Sequence, residues 1–226
     1  MCGRYTLTAE PAALAEHFHL AAVPADLPAH YNIAPSQQVP IVRQVEGLGR
    51  RLDRVRWGLV PGWAKDLSAG NRMINARAET LAERPAFRAA FRHRRCLVAA
   101  DGFYEWKRLD GSKQPYWIGL QDRRPLAFAG LWEHWDAPDG SGTVESCTII
   151  TTGADHVVRP LHERMPVILA PDDYDRWLDP DAEAPELQRL LVPFESDDLV
   201  AYPVSRAVNN PRNDDPDLLV PVHSDA

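Results

Sequence analysis

RCLVAADGFYEWKRLDGSKQPYWIGLQDRRPLAFAGLWEHWD, residues 95–136, decides the fold. Leu97, Phe103, Trp106, Trp117, Ile118, Phe128 and Leu131 fall in short apolar runs separated by turn residues, which is the pattern of successive strands. Ile149, in ESCTIITT (145–152), carries the pattern further. On either side, VPIVRQV (39–45) reads as a strand and RRLDRVRWGLVP (50–61) as a strand ending at Pro61. LVAYPVS (199–205) closes the regular part, and the chain opens on a strand through Tyr5. Thr8 reads as the N-cap of a helix that places Leu14 and Phe18 on one face at i, i+4 spacing. YNIAPSQQ (31–38) and GWAKDLSAGN (62–71) read as loops. A helix is expected from Thr80 to about Arg92, with Pro85 tolerated only near its start. Two short helices are expected over Pro171–Leu178 and Pro185–Leu191. Twenty prolines keep every element short. The reading is an α+β fold: a single domain over residues 1–222 with an antiparallel, barrel-like β-sheet core and peripheral short helices. Residues 223–226 read as a frayed tail.

With 226 residues, 45% of them hydrophobic, the chain can bury a substantial core. No apolar run approaches the length of a membrane helix, and MCGRYTLTAE has no apolar signal region, so a cytoplasmic monomer without membrane partners is expected. Cys2, Cys96 and Cys147 are odd in number and widely spaced, which excludes a disulfide framework. Neither a CxxC pair nor an HExxH run occurs, so no metal site and no cofactor is expected. Cys96 and Cys147 sit in apolar runs and read as buried packing residues. The net charge of −7 is unevenly spread. Residues 1–113 hold 17 Lys and Arg against 11 Asp and Glu, whereas residues 114–226 hold 8 against 21. A polyanion would be drawn to a basic face built from the first half; ordinary solvated surface charge is the alternative.

Cys2 carries the most specific chemistry. Its small side chain favours removal of Met1, which leaves an α-amine and a thiol on one residue. The amine titrates at about 7.7–8.0 and the thiol at about 8.5, so both are usable near neutrality. Such a pair suits aldehydes: the amine forms a Schiff base and the thiol closes a thiazolidine. The alternative is merely a small residue after a start codon. Glu105, in DGFYEW, lies among aromatics, and burial there would suit a carboxyl to general acid–base work; the alternative is a strand glutamate facing water. His162, in HERMP, can shuttle protons or can be structural. Asn75 and Arg77, in INARAET, would share one face of a strand; an asparagine can orient a nucleophile and an arginine can hold phosphate. Trp57 reads as core, while Trp63 reads as a loop residue able to stack on a base.

These signals combine with MCGRYTL, YNIAPSQ, WGLVPGWAKD, INARAET, RCLVAADGFYEW, AGLWE, TIITTGAD, HERMPVIL and VNNPRNDDP, in that order, across almost the whole chain. In this the sequence closely resembles the SOS response-associated peptidase family, also known as abasic site processing proteins. The resemblance implies a single β-rich domain that captures abasic sites in single-stranded DNA through a thiazolidine crosslink at Cys2. It implies orientation of Cys2 by Asn75, proton transfer by Glu105 and opening of the deoxyribose ring by His162. It further implies phosphate contacts from Arg4, Arg77 and Arg164, wedging or stacking by Pro35 and Trp63, and further contacts from Arg84 and Thr151. Self-cleavage at Met1, a wider cysteine-peptidase activity, and non-covalent reading of damaged or modified DNA are the other readings of the same residues. Ala99 stands where the family often has proline, and LSAGNRM (67–73) is inserted before Ile74.

Overall fold

The computed structural model describes residues 2–23 and 26–222, so the expected frayed tail lies outside the described residues. In chain order the strands are β1 (Tyr5–Leu7), β2 (His30–Ile33), β3 (Gln38–Val45), β4 (Gly49–Trp57), β5 (Asn75–Arg77), β6 (Arg95–Ala100) and β7 (Gly102–Leu109). They continue as β8 (Ser112–Leu120), β9 (Leu126–Asp136), β10 (Thr143–Gly153), β11 (Arg164–Pro166), β12 (Ile168–Leu169) and β13 (Leu199–Pro203). The α-helices are α1 (Pro11–His17), α2 (Arg88–His93), α3 (Tyr174–Leu178) and α4 (Ala184–Arg189).

The strands build two sheets. In one, β10, β4, β3, β6 and β9 pair in that order and β9 pairs back to β10, closing a five-stranded barrel. All these pairings are antiparallel except β4 with β10, where Ser146 lies opposite Arg56 and Cys147 opposite Trp57. Closure removes free edges from the barrel wall. The other sheet is open, ordered β13-β8-β7-β1-β2. It is fixed to the barrel by aromatic contacts. The Tyr5 ring meets Trp57 and Phe128 edge-on at centroid separations of 5.3 and 5.9 Å, and Phe103 meets Phe128 at 6.0 Å. These packed rings are the shared core of the two sheets.

The α+β class and the barrel-like core agree with the sequence reading; several boundaries do not. Thr8 does not cap α1. Its hydroxyl donates to the buried carboxylate of Asp101 at 2.7 Å, and the helix starts after Glu10 with Pro11 in its first turn, where a missing N–H costs nothing. YNIAPSQQ is not all loop: Tyr31–Ile33 belong to β2, paired with β1. The strand expected to reach Pro61 stops at Trp57. Gly58 has φ +122°, and a Cβ there would lie 2.6 Å from the Gly70 carbonyl oxygen. The helix expected over 80–92 reduces to α2 plus a 3-10 turn at Ala78–Thr80. Pro85 lacks an N–H, so the chain turns at 81–87 before α2 begins.

Beyond β13 the chain returns to the open edge of β2. Asn32 Nδ2 donates to the carbonyls of Val208, Asn210 and Asn213, and the Asp214 carboxylate accepts the backbone N–H groups of Tyr31 and Asn32 at 2.5 and 3.0 Å. VNNPRNDDP is thus a strap over the outer strand.

Candidate active site at the seam of the two sheets

β1 lies beside β7 with Tyr5 opposite Phe103, and the Tyr104 N–H donates to the Arg4 carbonyl at 3.0 Å. This register brings the residues before β1 alongside Glu105. Cys2 is fully buried, and Glu105 is only 3% exposed, so the reading of Glu105 as a strand glutamate facing water is excluded. Burial, and after it the nearby Glu105 charge, pushes the Cys2 thiol well above its usual range. The thiol is therefore held protonated; its Sγ faces the Arg4 carbonyl at 3.8 Å, within the field of the Glu105 charge.

The barrel supplies the other wall. β5 runs parallel to β10, setting Asn75 opposite Ile149 and Arg77 opposite Thr151. β11 runs antiparallel on β10, setting Thr151 opposite Pro166 and Gly153 opposite Arg164. Asn75 Nδ2 donates to the Cys2 carbonyl at 2.7 Å, a direct bond across the seam. Asn75 Oδ1 is buried, and among the described residues nothing donates to it. An orphaned buried acceptor carries a penalty unless a donor arrives, and this one sits on the amide that grips Cys2.

His162 leads into β11 and is half-buried. The Arg164 N–H donates to His162 Nδ1 at 2.9 Å, and the same nitrogen lies 3.2 Å from the Arg164 carbonyl. The Arg164 guanidinium meets the Glu79 carboxylate through both nitrogens, at 2.6 and 3.0 Å, and also donates to the Thr151 carbonyl at 2.6 Å. Arg164 in turn holds the Glu79 carboxyl below the usual carboxylate range. Thr151 itself is fully buried. Arg77, on the same short strand as Asn75, is exposed.

The remaining candidates lie apart from this group. Arg4 turns to the C-terminal strap, donating to Asn32 Oδ1 at 2.8 Å and to the Val208 and Asn209 carbonyls at 2.7 and 3.3 Å. Trp63 is 66% exposed, whereas Trp57 is fully buried, as their positions suggested. Pro35 occupies the turn before β3, and Arg84 is exposed in the turn before α2. Arg56 ties these loops together: it donates to the Ser36 carbonyl at 3.0 Å and to Asn71 Oδ1 at 2.9 Å.

Sequence reasoning passed over Glu79 and Asn32. Glu79 continues the alternation of Asn75 and Arg77, but an acidic residue is not sought on a face expected to be basic. The expected basic first half is also partly neutralised from within. Arg43, Arg50 and Arg94 pair with Glu145, Asp175 and Glu133 of the second half. Cys96 and Cys147 are buried, as their apolar runs suggested. No helix among the described residues is long and apolar enough to cross a membrane.

Similarity to known proteins follows the same outline. A protein of Bacteroides thetaiotaomicron with a solved crystal structure superposes with a TM-score of 0.86 at 25% identity, over 98% of this chain and 100% of that one. Another, from Bordetella bronchiseptica, gives 0.78 at 29% identity over 90% and 100%. In sequence the chain is 45% identical to the abasic site processing protein YoqW of Bacillus subtilis, over 97% of this chain and 99% of that one. It is 33% identical to the abasic site processing protein HMCES of Xenopus tropicalis, over 85% of this chain and 66% of the longer relative. Residues 1–211 match the family described as SOS response associated peptidase. With the two-sheet fold and the sequence agreeing over nearly its full length, the chain belongs to the SOS response associated peptidase (SRAP) family.

Proposed function

We propose that this protein processes abasic sites in single-stranded DNA by capturing them covalently on Cys2. The observation that carries the proposal is the setting of Cys2 at the seam: buried, with its carbonyl held by Asn75 and its thiol beside Glu105. Relatives named as abasic site processing proteins support the substrate class.

The chemistry begins once Met1, which lies outside the described residues, has been removed. An abasic deoxyribose equilibrates between a closed ring and an open aldehyde. His162, held at Nδ1 by the Arg164 N–H, would give a proton to the ring oxygen as the C1 hydroxyl loses its own, and so speed opening. The Cys2 amine adds to the aldehyde carbon to give a carbinolamine. Glu105 carries the two amine protons in turn to the oxygen, which leaves as water, and an imine remains. The Cys2 thiol adds to the imine carbon, its proton passing by way of Glu105 to the imine nitrogen, and the thiazolidine closes. Loss of the imine removes the acidity that drives β-elimination, so the strand is shielded from cleavage. The buried Asn75 Oδ1 is suited to accept from the freed amine and so orient it.

Exposed Arg77 supplies one phosphate contact on this reading, with Trp63 and Pro35 at the strand end and exposed Arg84 as a further contact. Affinity should then be indifferent to base sequence and sensitive to salt.

The test is a denaturing gel with an abasic oligonucleotide and protein whose N-terminus has been verified by intact mass. The expected result is a band that survives boiling, requires the abasic site and appears only when Met1 is absent. Efficient crosslinking by protein that retains Met1 would exclude the thiazolidine. Binding without any boiling-resistant band would leave a non-covalent reader, and cleavage of added peptides would point to a peptidase.

A further inference from the structure

We propose that Glu79 is a built-in stand-in for a DNA phosphate, occupying the fork of Arg164 until a strand displaces it. The inference rests on the reading of this face as a DNA-binding surface and adds to it an intrinsic competitor.

Three observations carry it. First, the geometry is that of phosphate recognition. Both terminal nitrogens of Arg164 face the two Glu79 oxygens at 2.6 and 3.0 Å, the parallel arrangement that a guanidinium also offers to phosphate oxygens. Second, the partners differ in freedom. The Arg164 side chain is only 15% exposed and its main chain is fixed in the β10–β11 ladder opposite Gly153, whereas the Glu79 side chain is 54% exposed and follows the short strand β5. The carboxylate can therefore swing into solvent while the guanidinium stays in place. Third, Glu79 sits in the turn that follows exposed Arg77, near enough for the Arg77 charge to act on its carboxylate, so it lies where a strand held by Arg77 would run.

Exchange of one anion for another also explains how Arg164 can remain ordered without DNA. Its second bond, from Nη2 to the Thr151 carbonyl, is independent of Glu79 and persists through the exchange. The Arg164 N–H that fixes His162 Nδ1 belongs to the main chain, so the exchange leaves the histidine undisturbed. The consequence is a damped affinity: contact with Arg164 requires loss of an existing ion pair, which weakens binding to every single strand. Because a charge already neutralised in the free protein gives little net counterion release, Arg164 should scarcely contribute to the salt dependence of the native protein.

The experiment measures binding of an undamaged single-stranded oligonucleotide from about 50 to about 200 mM salt, for the native protein, Glu79→Gln, Arg164→Ala and the double variant. Glu79→Gln is expected to bind about two- to fivefold more tightly at the low-salt end, the size of an exposed ion pair. Its plot of log affinity against log salt should steepen by about 0.7, one additional phosphate contact on a single strand. Both gains should vanish in the Arg164→Ala background. Unchanged or weaker binding by Glu79→Gln would overturn the proposal while leaving the DNA-binding reading intact. An equal gain with Arg164→Ala present would also overturn it, because Glu79 would then act as a general surface charge. If the native protein and all variants fail to bind single strands, the DNA-binding reading itself falls and this inference with it. Thermal melting of each variant keeps a folding defect from passing as a binding change.

Discussion

Cys2 and Cys147 are equally inaccessible, and in both burial is the first reason the thiol is pushed well above its usual range. Their surroundings differ. Cys147 is in the middle of β10, paired on one side with Trp57 of β4 and on the other with Trp132 of β9. Cys2 precedes the first strand, and it is gripped through its carbonyl by a side chain of the opposite sheet, with a carboxyl beside its sulfur. Exposure and acidity alone would class both as inert packing residues. What separates them is place in the chain, ahead of the first strand against mid-barrel, and a neighbouring carboxyl. On the proposed mechanism, removal of Met1 would give Cys2 an amine of its own, and the reaction would start at that amine rather than at a thiolate. A raised thiol pKa is then no obstacle, provided Glu105 accepts the proton when the ring closes.

The comparison can be broken outright at its reactive end. Cys2→Ala is expected to abolish the heat-stable adduct on a denaturing gel while its melting curve shows a folded protein. The alanine amine can still form an imine, so slow strand cleavage should replace crosslinking. A normal yield of stable adduct from this variant would make the two cysteines equivalent again. Next in size is Glu105→Gln, which keeps shape but removes the base. Single-turnover crosslinking should slow by about 10²–10⁴-fold, for natural abasic sites and for pre-opened aldehydes alike. Unchanged rates on both would mean that the carboxyl beside Cys2 has no part in the chemistry.

Cys147→Ala tests the other side. Removing a buried sulfur from the barrel wall should lower stability by about 1–2 kcal/mol in a denaturant titration, with crosslinking rate unchanged once the protein is folded. A rate loss without a stability loss would show that the interior cysteine communicates with the site. The smallest effect concerns Glu79, whose carboxyl Arg164 holds below the usual carboxylate range. A lowered folded-state pKa contributes stability at neutral pH that is lost as pH falls through that lowered value. Relative to Glu79→Gln, the native protein should be more stable by about 0.2–1 kcal/mol near neutrality, given the exposed position of Glu79. The difference should shrink below about pH 4.3 and disappear in stronger acid.

The barrel was legible because its strands alternate or run apolar over six or more residues, as in Arg95–Ala100 and Leu126–Asp136. Short elements were not. β2 contains Asn32, and its segment runs on into a Pro-Ser turn, features that argue for a loop; the strap at Asp214, the pairing with β1 and the Tyr104 hydroxyl on the Tyr31 carbonyl hold it extended. β5 has three residues and gains its conformation from parallel pairing with β10, a long-range contact without a local signature. The candidate residues could be picked out in MCGRYTL, INARAET, DGFYEW and HERMP by the order of these motifs and the resemblance they carry. Their assembly could not. The bond from Asn75 to Cys2 spans 73 residues, and it exists because the barrel and the open sheet meet there. The resemblance implied a phosphate contact for Arg4; its guanidinium also donates to Asn32 and the strap carbonyls, partners more than 27 residues away in the chain that no local pattern announces.

The strap over β2 has a consequence for solubility. β2 is the outer strand of an open sheet, and such a strand offers a template for pairing with another chain. The Asp214 carboxylate takes two of its N–H groups and brings a negative charge to the rim, so an incoming strand would meet both occupied donors and electrostatic repulsion. A recombinant chain cut short before Asp214 would expose that rim and also lose buried Leu218 and Leu219 from the cluster with Tyr104 and Trp117, and aggregation is its expected fault.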